Sequence, residues 1–461
     1  MRRLLIGTAA LVVLAGGAAG AWYYHDQTRT REKRGSTTQE FVPTAPAIEK
    51  RPKKSIETVP WPMYGYDPAR TRDAPFKLRP PYRKIWTVRV GNNIEFPPVV
   101  GYGLLFVNQL RGRLYALHAD TGKRAWRRYF RHCAAASPAV GKGVVYVAYM
   151  QAYPCNRYPR TQPGFVVGLM FRSRRGVILG YSKVLWRFPS GAIESSPLLV
   201  NGVLYFGSWN HTVYALDVHR DANAVKSWPH RRRRYRPRLL WTFHADGEVN
   251  SSPAYSGGLV YFGTDSGSVY AVNARTGHER WRAQSYARFG SHEYFYATPT
   301  VAYGRVYIGN TDGTLYAFGA RTGHLLWAQH AGSYVYSAAA VWRRRVFIGT
   351  YDGKFLAYDA GTGDQIWSHN APASVHGAPT VLDGLVYFST CPTCGSHGSR
   401  SAKSGPRGTY ALDARTGRLV WRFTDGQYSP VVADSERLYV AGHTHVYGFV
   451  PRHQRRGKKH P

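Results

Sequence analysis

The sequence predicts an all-β fold, an eight-bladed β-propeller of four-stranded antiparallel blades behind an N-terminal transmembrane helix, and three recurrences lead there. The first is a block ending in Trp: YALHADTGKRAW closes at Trp126, YAVNARTGHERW at Trp281, YAFGARTGHLLW at Trp327, LAYDAGTGDQIW at Trp367 and YALDARTGRLVW at Trp421. In each copy Thr-Gly places its Gly four residues before the Trp. The second is an upstream hairpin block: LLFVNQLRGRLYAL, LVYFGTDSGSVYAV, RVYIGNTDGTLYAF and RVFIGTYDGKFLAY. The third is a Ser/Ala/Thr-Pro step that opens a short apolar run, as in ASPAV, SSPLLV, SSPAY, ATPTV, APTV and SPVV.

One unit is therefore three short runs of period-two pattern plus a fourth run carrying the Trp, separated by turn residues. Gly112, Gly267, Gly313 and Gly353 stand where a tight hairpin needs a positive φ, and Thr-Gly makes the next turn. Such a meander has two apolar faces, and stacking copies about an axis buries both. The Trp-to-Trp intervals from Trp86 to Trp421 are 40, 60, 55, 40, 46, 40 and 54, which are seven full units. After Trp421 come three strands with no Trp strand, while residues 84–90 are a Trp strand with no three strands before it. The two fragments complete each other, so residues 84–90 are expected to pair into the region 428–450 and close an eighth blade.

The pattern Tyr-Ala-x-Asp-Ala-x-Thr-Gly-x-x-x-Trp resembles the repeat of the pyrroloquinoline-quinone (PQQ), quinoprotein alcohol dehydrogenase-like β-propellers, a family that includes the BamB-like propeller proteins. The resemblance covers about residues 61–450. A WD40 propeller has repeats of similar length but ends a strand in Trp-Asp, and none of these tryptophans is followed by Asp. The shared residues serve stacking and turning, so the resemblance implies the fold more directly than any chemistry.

Composition sets limits on the partners. The chain has 461 residues, is 44% apolar, and carries a formal charge of +36. A core of that size excludes a wholly disordered chain, and the charge favours polyanions such as acidic lipid headgroups or envelope polymers, with nucleic acid the weaker candidate. Much of it is an ordinary solvated surface. Leu4 to Tyr24 is a 21-residue run without charge after Arg2 and Arg3, long enough for a helix across a bilayer. It reads as a single-pass signal anchor, residues 1–24, with the body on the extracytoplasmic side of the cell membrane. Ala19-Gly20-Ala21 keeps a cleaved signal peptide open as the alternative, and Arg29, Arg31, Lys33 and Arg34 oppose the assigned orientation. Residues 25–60 read as an extended tether, 61–451 as the propeller and 452–461 as a basic tail.

In a propeller the first strand of each blade lines the axis. The third residue before each repeat Pro, or before Ala339 in blade six, gives a ring of Glu95, Ala135, Glu194, Asn250, Tyr296, Tyr336, His376 and Gln427. This mostly polar ring is the candidate ligand site, although a funnel mouth also tolerates hydrated polar residues with no ligand. The family resemblance implies more: quinoprotein dehydrogenases hold Ca²⁺ through Glu, Asn and Asp in the equivalent region, and Glu194 with Asn250 imitates part of that set. The departures are the lack of adjacent cysteines and of an Asp on the ring.

Cys133 and Cys155 fall in connections on one face of blade two and form a reasonable disulfide pair. Cys391 and Cys394 in CPTC read as a local disulfide clip, with zinc aided by His397 or redox chemistry as alternatives. Arg231, Arg232, Arg233 and Arg234 lie in an arginine-rich loop on the face opposite the ring and are the polyanion-binding candidates, as are Arg343 to Arg345. The functional expectation is a membrane-tethered binding or assembly scaffold in the cell envelope, engaging an envelope protein or an anionic polymer. The alternative is a PQQ- and calcium-dependent dehydrogenase of alcohols or sugars, and a third is extracellular nucleic-acid binding.

Overall fold

The structure is a computed structural model and describes residues 14–23, 25, 32–43, 59–155, 163–172, 178–221, 223, 236–288, 291–392, 402–429 and 431–452. Eight four-stranded antiparallel sheets stand around an axis. Blade one is Val99–Gly101, Leu104–Gln109, Arg113–His118 and Arg124–Tyr129, and blades two to seven open at Ala139, Leu198, Ala254, Thr300, Ala340 and Thr380. Blade eight takes three strands from the C-terminal side, Val431–Ala433, Leu438–Ala441 and His445–Pro451, and its fourth, Tyr82–Arg89, from the N-terminal side. Trp86 faces Gly448 and Val88 faces Val446 in that closure, as the two sequence fragments require.

The repeat residues interlock neighbouring blades. Trp327 stands opposite Ala317, and a β-bulge then sets Phe318 opposite Leu325, so one extra residue on the Trp strand re-aims the indole. Ala is the partner in blades one and three to seven, while Gly168 and Gly448 serve in blades two and eight. The indole then reaches the next blade's Ala-x-Thr-Gly turn. Trp281 Nε1 donates to Ala320 O at 3.0 Å, and Tyr261 Oη donates to the same oxygen at 3.0 Å. Trp327 and Tyr307 converge likewise on Ala360 O at 3.1 and 2.9 Å, and Trp86 with Tyr439 on Ala119 O at 3.2 and 3.3 Å. The turn glycine must be bare because the indole lies on it: a Cβ on Gly323 would sit 2.7 Å from the Trp281 ring.

A non-repeating segment plugs the axis. The middle residue of a first strand points its amide inward, and residues 61–72 accept that bond in six blades. Val100, Val140, Tyr255, Val301, Val341 and Val381 donate to Trp61, Pro62, Pro68, Ala69, Thr71 and Arg72 at 2.7 to 3.0 Å. Asp73–Ala74 adds a short parallel strand to blade seven. Within this plug the buried Arg70 donates to Pro253 O at 2.9 Å and to Tyr64 O, satisfying buried carbonyls.

Part of the expected tether is docked rather than extended. Residues 32–43 cross blades five and six: Lys33 pairs with Ala328, and the buried Arg305 donates to Ser36 O, Gln39 O and Ala360 O. Phe41 stacks on Tyr303 at 5.4 Å, with the Arg305 guanidinium 5.2 Å from its ring. Towards the N-terminus Leu14 to Tyr23 is helical, and no helix among the described residues is long and apolar enough to cross a membrane. The first ten residues of the expected span, from Leu4, lie outside the described residues, as do the basic tail beyond Arg452 and residues 44–58 of the tether.

Cys133 and Cys155 form a disulfide with Cα atoms 5.4 Å apart. Cys391 is also disulfide-bonded, while Cys394 and His397 lie outside the described residues.

Two glycine substitutions separate conformational cost from the interlock. Gly103 has φ +73° with no atom near its missing Cβ, whereas Gly323 has φ +72° and the Trp281 ring against it. Gly103→Ala is expected to cost about 1 kcal/mol and Gly323→Ala about 3 kcal/mol, measured by urea denaturation. Equal costs would contradict the interlock.

Candidate functional site

The axial ring is built by an apolar residue followed by a polar one. Ile94, Ile193, Val249, Phe295, Val335 and Val375 are buried between blades. Amides of this set reach across to the second-to-third-strand loop: Val249 to Ser208 O at 3.2 Å, Phe295 to Thr264 O at 3.0 Å, Val335 to Asn310 O at 3.1 Å and Val375 to Thr350 O at 3.0 Å. With that residue fixed outward, its successor turns to the axis. Glu95, Glu194, Asn250, Tyr296, Tyr336 and His376 accordingly line one chamber of about 40 Å³, six of the eight expected ring positions.

The other two do not contribute. Ala135 is packed with Cys133 and Met150 and presents no polar group. Gln427 lines a separate groove with Arg407, Arg422 and His443, and its amide bonds within its own blade, to Ala441 O at 3.0 Å, rather than to the preceding blade's loop. Tyr428 stands beside His376 instead, ring centroids 6.1 Å apart. Groups outside the repeat complete the site. Tyr64 from the plug lines the chamber, and Arg72 stacks on its ring at 4.3 Å. Tyr351, from the second-to-third-strand loop of blade six, stacks on Tyr336 at 4.9 Å, and Trp209 donates to Asn250 Oδ1.

Hydrogen bonds commit much of the ring. Asn250 Nδ2 donates to Asp265 Oδ2 at 2.7 Å, and Tyr296 Oη donates to Glu194 Oε1. The Glu95 carboxylate accepts no hydrogen bond from any described group, and burial alone raises its pKa to about 7. Burial likewise raises Glu194 to about 7, with the Glu95 and Glu248 charges adding and the bonds from Tyr296 and Trp209 opposing. Burial lowers His376 to about 4, so its ring is neutral at physiological pH. Tyr336 meets Tyr296 edge-on at 5.0 Å and stacks on His376 at 5.9 Å.

Beyond the plug, on the opposite face, lies a larger cavity of about 920 Å³ whose walls include Tyr66, Phe76, Tyr255, Trp342, Asp73 and Arg343. Burial raises Asp73 to about 7, the neighbouring Asp67 adds to this, and Arg343 opposes it. Val59 and Pro60 line it where the described chain resumes. The loop with Arg231, Arg232, Arg233 and Arg234 falls outside the described residues, while Arg343, Arg344 and Arg345 occupy the first turn of blade six on that face.

A family model described as "Outer membrane protein assembly factor BamB" matches residues 82–152, 236–338 and 333–452, more than half of the chain. The chain belongs to this PQQ-like propeller family. Solved structures with the same architecture include BamB from Moraxella catarrhalis, 14% identical with a TM-score of 0.57, covering 80% of this chain and 99% of that one. The quinohemoprotein alcohol dehydrogenase of Comamonas testosteroni is 13% identical with a TM-score of 0.63, covering 86% and 82%. A europium-containing methanol dehydrogenase is 13% identical with a TM-score of 0.65, covering 86% and 98%. No curated protein sequence matches the chain. At these identities the likeness is one of fold.

The quinone and calcium that the dehydrogenase likeness implies do not fit the ring. A ligand pocket for a tricyclic cofactor takes about 300 Å³ or more, and the chamber has about 40 Å³ between stacked aromatic walls. Asn250 and Glu194 are already engaged by Trp209, Asp265 and Tyr296. No group of three or more His, Cys, Asp and Glu among the described residues is placed to hold a metal.

A pH signature follows from Glu95. Its folded pKa lies above the unfolded value, so its contribution is neutral below about pH 4.5, turns against folding from there to pH 7, and stays constant above. Glu95→Gln is therefore expected to be about 2 kcal/mol more stable than the parent at pH 8 and equal to it at pH 4, by urea denaturation. A variant less stable at pH 8 would contradict the assignment.

Proposed function

We propose that the chain is a binding and assembly scaffold of the cell envelope, tethered by its N-terminal helix with the propeller on the extracytoplasmic side. The observation that carries a scaffold over a dehydrogenase is the size of the axial chamber, about 40 Å³ walled by aromatic rings. Family membership and the BamB-like architecture support the same class. The Cys133–Cys155 disulfide favours an oxidising compartment.

The partner-binding surface in this reading is the face of first-to-second-strand and third-to-fourth-strand turns. It carries the Arg343 to Arg345 turn, within a chain of 62 basic and 26 acidic residues. An acidic envelope polymer or the acidic surface of an envelope protein is the matching partner. The docked arm at residues 32–43 meets the same face near its start, where Gly35 N–H donates to Thr362 O in the third-to-fourth-strand turn of blade six, and only residues 26–31 separate that arm from the end of the helix at His25. Six residues reach about 20 Å at most, so the tether holds this face close to whatever surface anchors the helix.

Three measurements on the full chain test the proposal. Fractionation is expected to place it with membranes, and removal of residues 1–25 to release it. Retention of an anionic polymer is expected to weaken steeply between low and high salt, and to fall further when Arg343, Arg344 and Arg345 are all replaced by Gln. Incubation with PQQ and Ca²⁺ is expected to give no dye-linked alcohol oxidation, and turnover would overturn the scaffold reading.

A further inference from the structure

The axial chamber combines features that single out one kind of ligand. It holds about 40 Å³, little more than the roughly 30 Å³ that one water takes in the liquid. Its walls include the faces of Tyr296, Tyr336 and His376, ringed further by Tyr351 and Tyr428. Its carboxylates are Glu95 and Glu194, and Glu95 has no described donor. The basic chain thus keeps two half-buried acids at its axis, one of them with no described donor.

We infer that the chamber is a receptor for a primary ammonium head group, entering from the funnel on an extended, unbranched chain. An ammonium brings three N–H donors to a carboxylate that lacks one, and aromatic faces attract cations within about 6 Å. The volume takes –NH₃⁺ and excludes a trimethylammonium. A divalent metal fits poorly, since Ca²⁺ takes six to eight oxygen ligands and no described cluster of three or more acids, His or Cys surrounds the site. Ring cations do not compete: burial keeps His376 neutral, and Arg72 lies against Tyr64 in the plug. The source of the ammonium is either a lysine of a partner protein or a free polyamine. This site lies on the face opposite the arginine turns and does not depend on the scaffold proposal.

The groups that face the two acids set the pH dependence. Glu95 faces Glu194, Tyr296 and Tyr351; Glu194 also faces Glu248, Tyr296 and Trp209; and Asp265 bears on Tyr296 and Tyr336. All of these titrating groups are acids or phenols, so the chamber gains negative charge as pH rises.

The test is calorimetric titration of n-butylammonium into the full chain in an amine-free buffer. Binding is expected at about pH 8, at least about tenfold weaker at about pH 5.5 where both acids are protonated, and at least tenfold weaker at pH 8 in Glu95→Gln. Glu95→Gln is expected to be more stable than the parent, so lost binding is not lost folding. Tetramethylammonium is expected not to bind. Nα-acetyl-lysine methylamide binding more tightly than 1,5-diaminopentane marks a partner's lysine as the source, and the reverse order marks a polyamine. No butylammonium binding at pH 8, equal binding by Glu95→Gln, or equal binding of tetramethylammonium would overturn the inference.

Discussion

A single alanine carbonyl ties neighbouring blades at four junctions, those at Ala119, Ala274, Ala320 and Ala360. The Ala of an Ala-x-Thr-Gly turn receives the indole N–H of the preceding blade and that blade's second-strand Tyr hydroxyl, as Ala320 does from Trp281 and Tyr261. The indole covers the turn glycine, so one aromatic residue fills the gap between wedge-shaped sheets and satisfies its own polar atom. No blade is complete alone. The last junction, from blade eight to blade one, uses the same parts, with Trp86 supplied by the N-terminal strand and Tyr439 by the C-terminal ones. Closure at that point fixes the eight first strands about the axis and makes the central segment Trp61 to Ala74 a partner for them.

The closed ring separates two chemistries. On one face the axis ends in a tight acidic and aromatic chamber with its Tyr64 side closed by the plug. On the other, turns rich in arginine surround a cavity of about 920 Å³. Half-buried acids such as Glu95 work against stability at neutral pH, and a fold tolerates such a cost where the charge serves a ligand. The docked arm at residues 32–43 ties the N-terminal side of the chain to blades five and six through Arg305, so this segment leaves the propeller at a defined edge.

Recurrence explains what could be read directly from the residues and what could not. Trp, Ala, Gly and Pro return at fixed spacing because most blade junctions use them, so blade number, strand order and the pairing of Trp86 with the last strands were all legible. Six ring residues followed from the same spacing. Gln427 did not: its amide bonds within blade eight, to Ala441 O, and Tyr428 stands beside His376 instead. Tyr64 and the plug carry no repeat signal, and Tyr351 and Trp209 come from loops whose side chains vary between blades. Phe41 and Arg305 would have marked the docked arm only with knowledge that Arg305, unlike Leu259 or Leu385 at the same strand position, has backbone carbonyls to satisfy.

Ring closure by the two distant ends of the chain is tested most directly by cross-linking the paired positions Arg89 and His445. With both replaced by Cys, mild oxidation is expected to join them within one monomer, detected as a peptide pair by mass spectrometry, because facing strand residues lie about 4.5 to 5.5 Å apart at Cα. Intermolecular products alone, or no product while Cys133–Cys155 stays intact, would show that the strand carrying Trp86 does not complete the eighth blade.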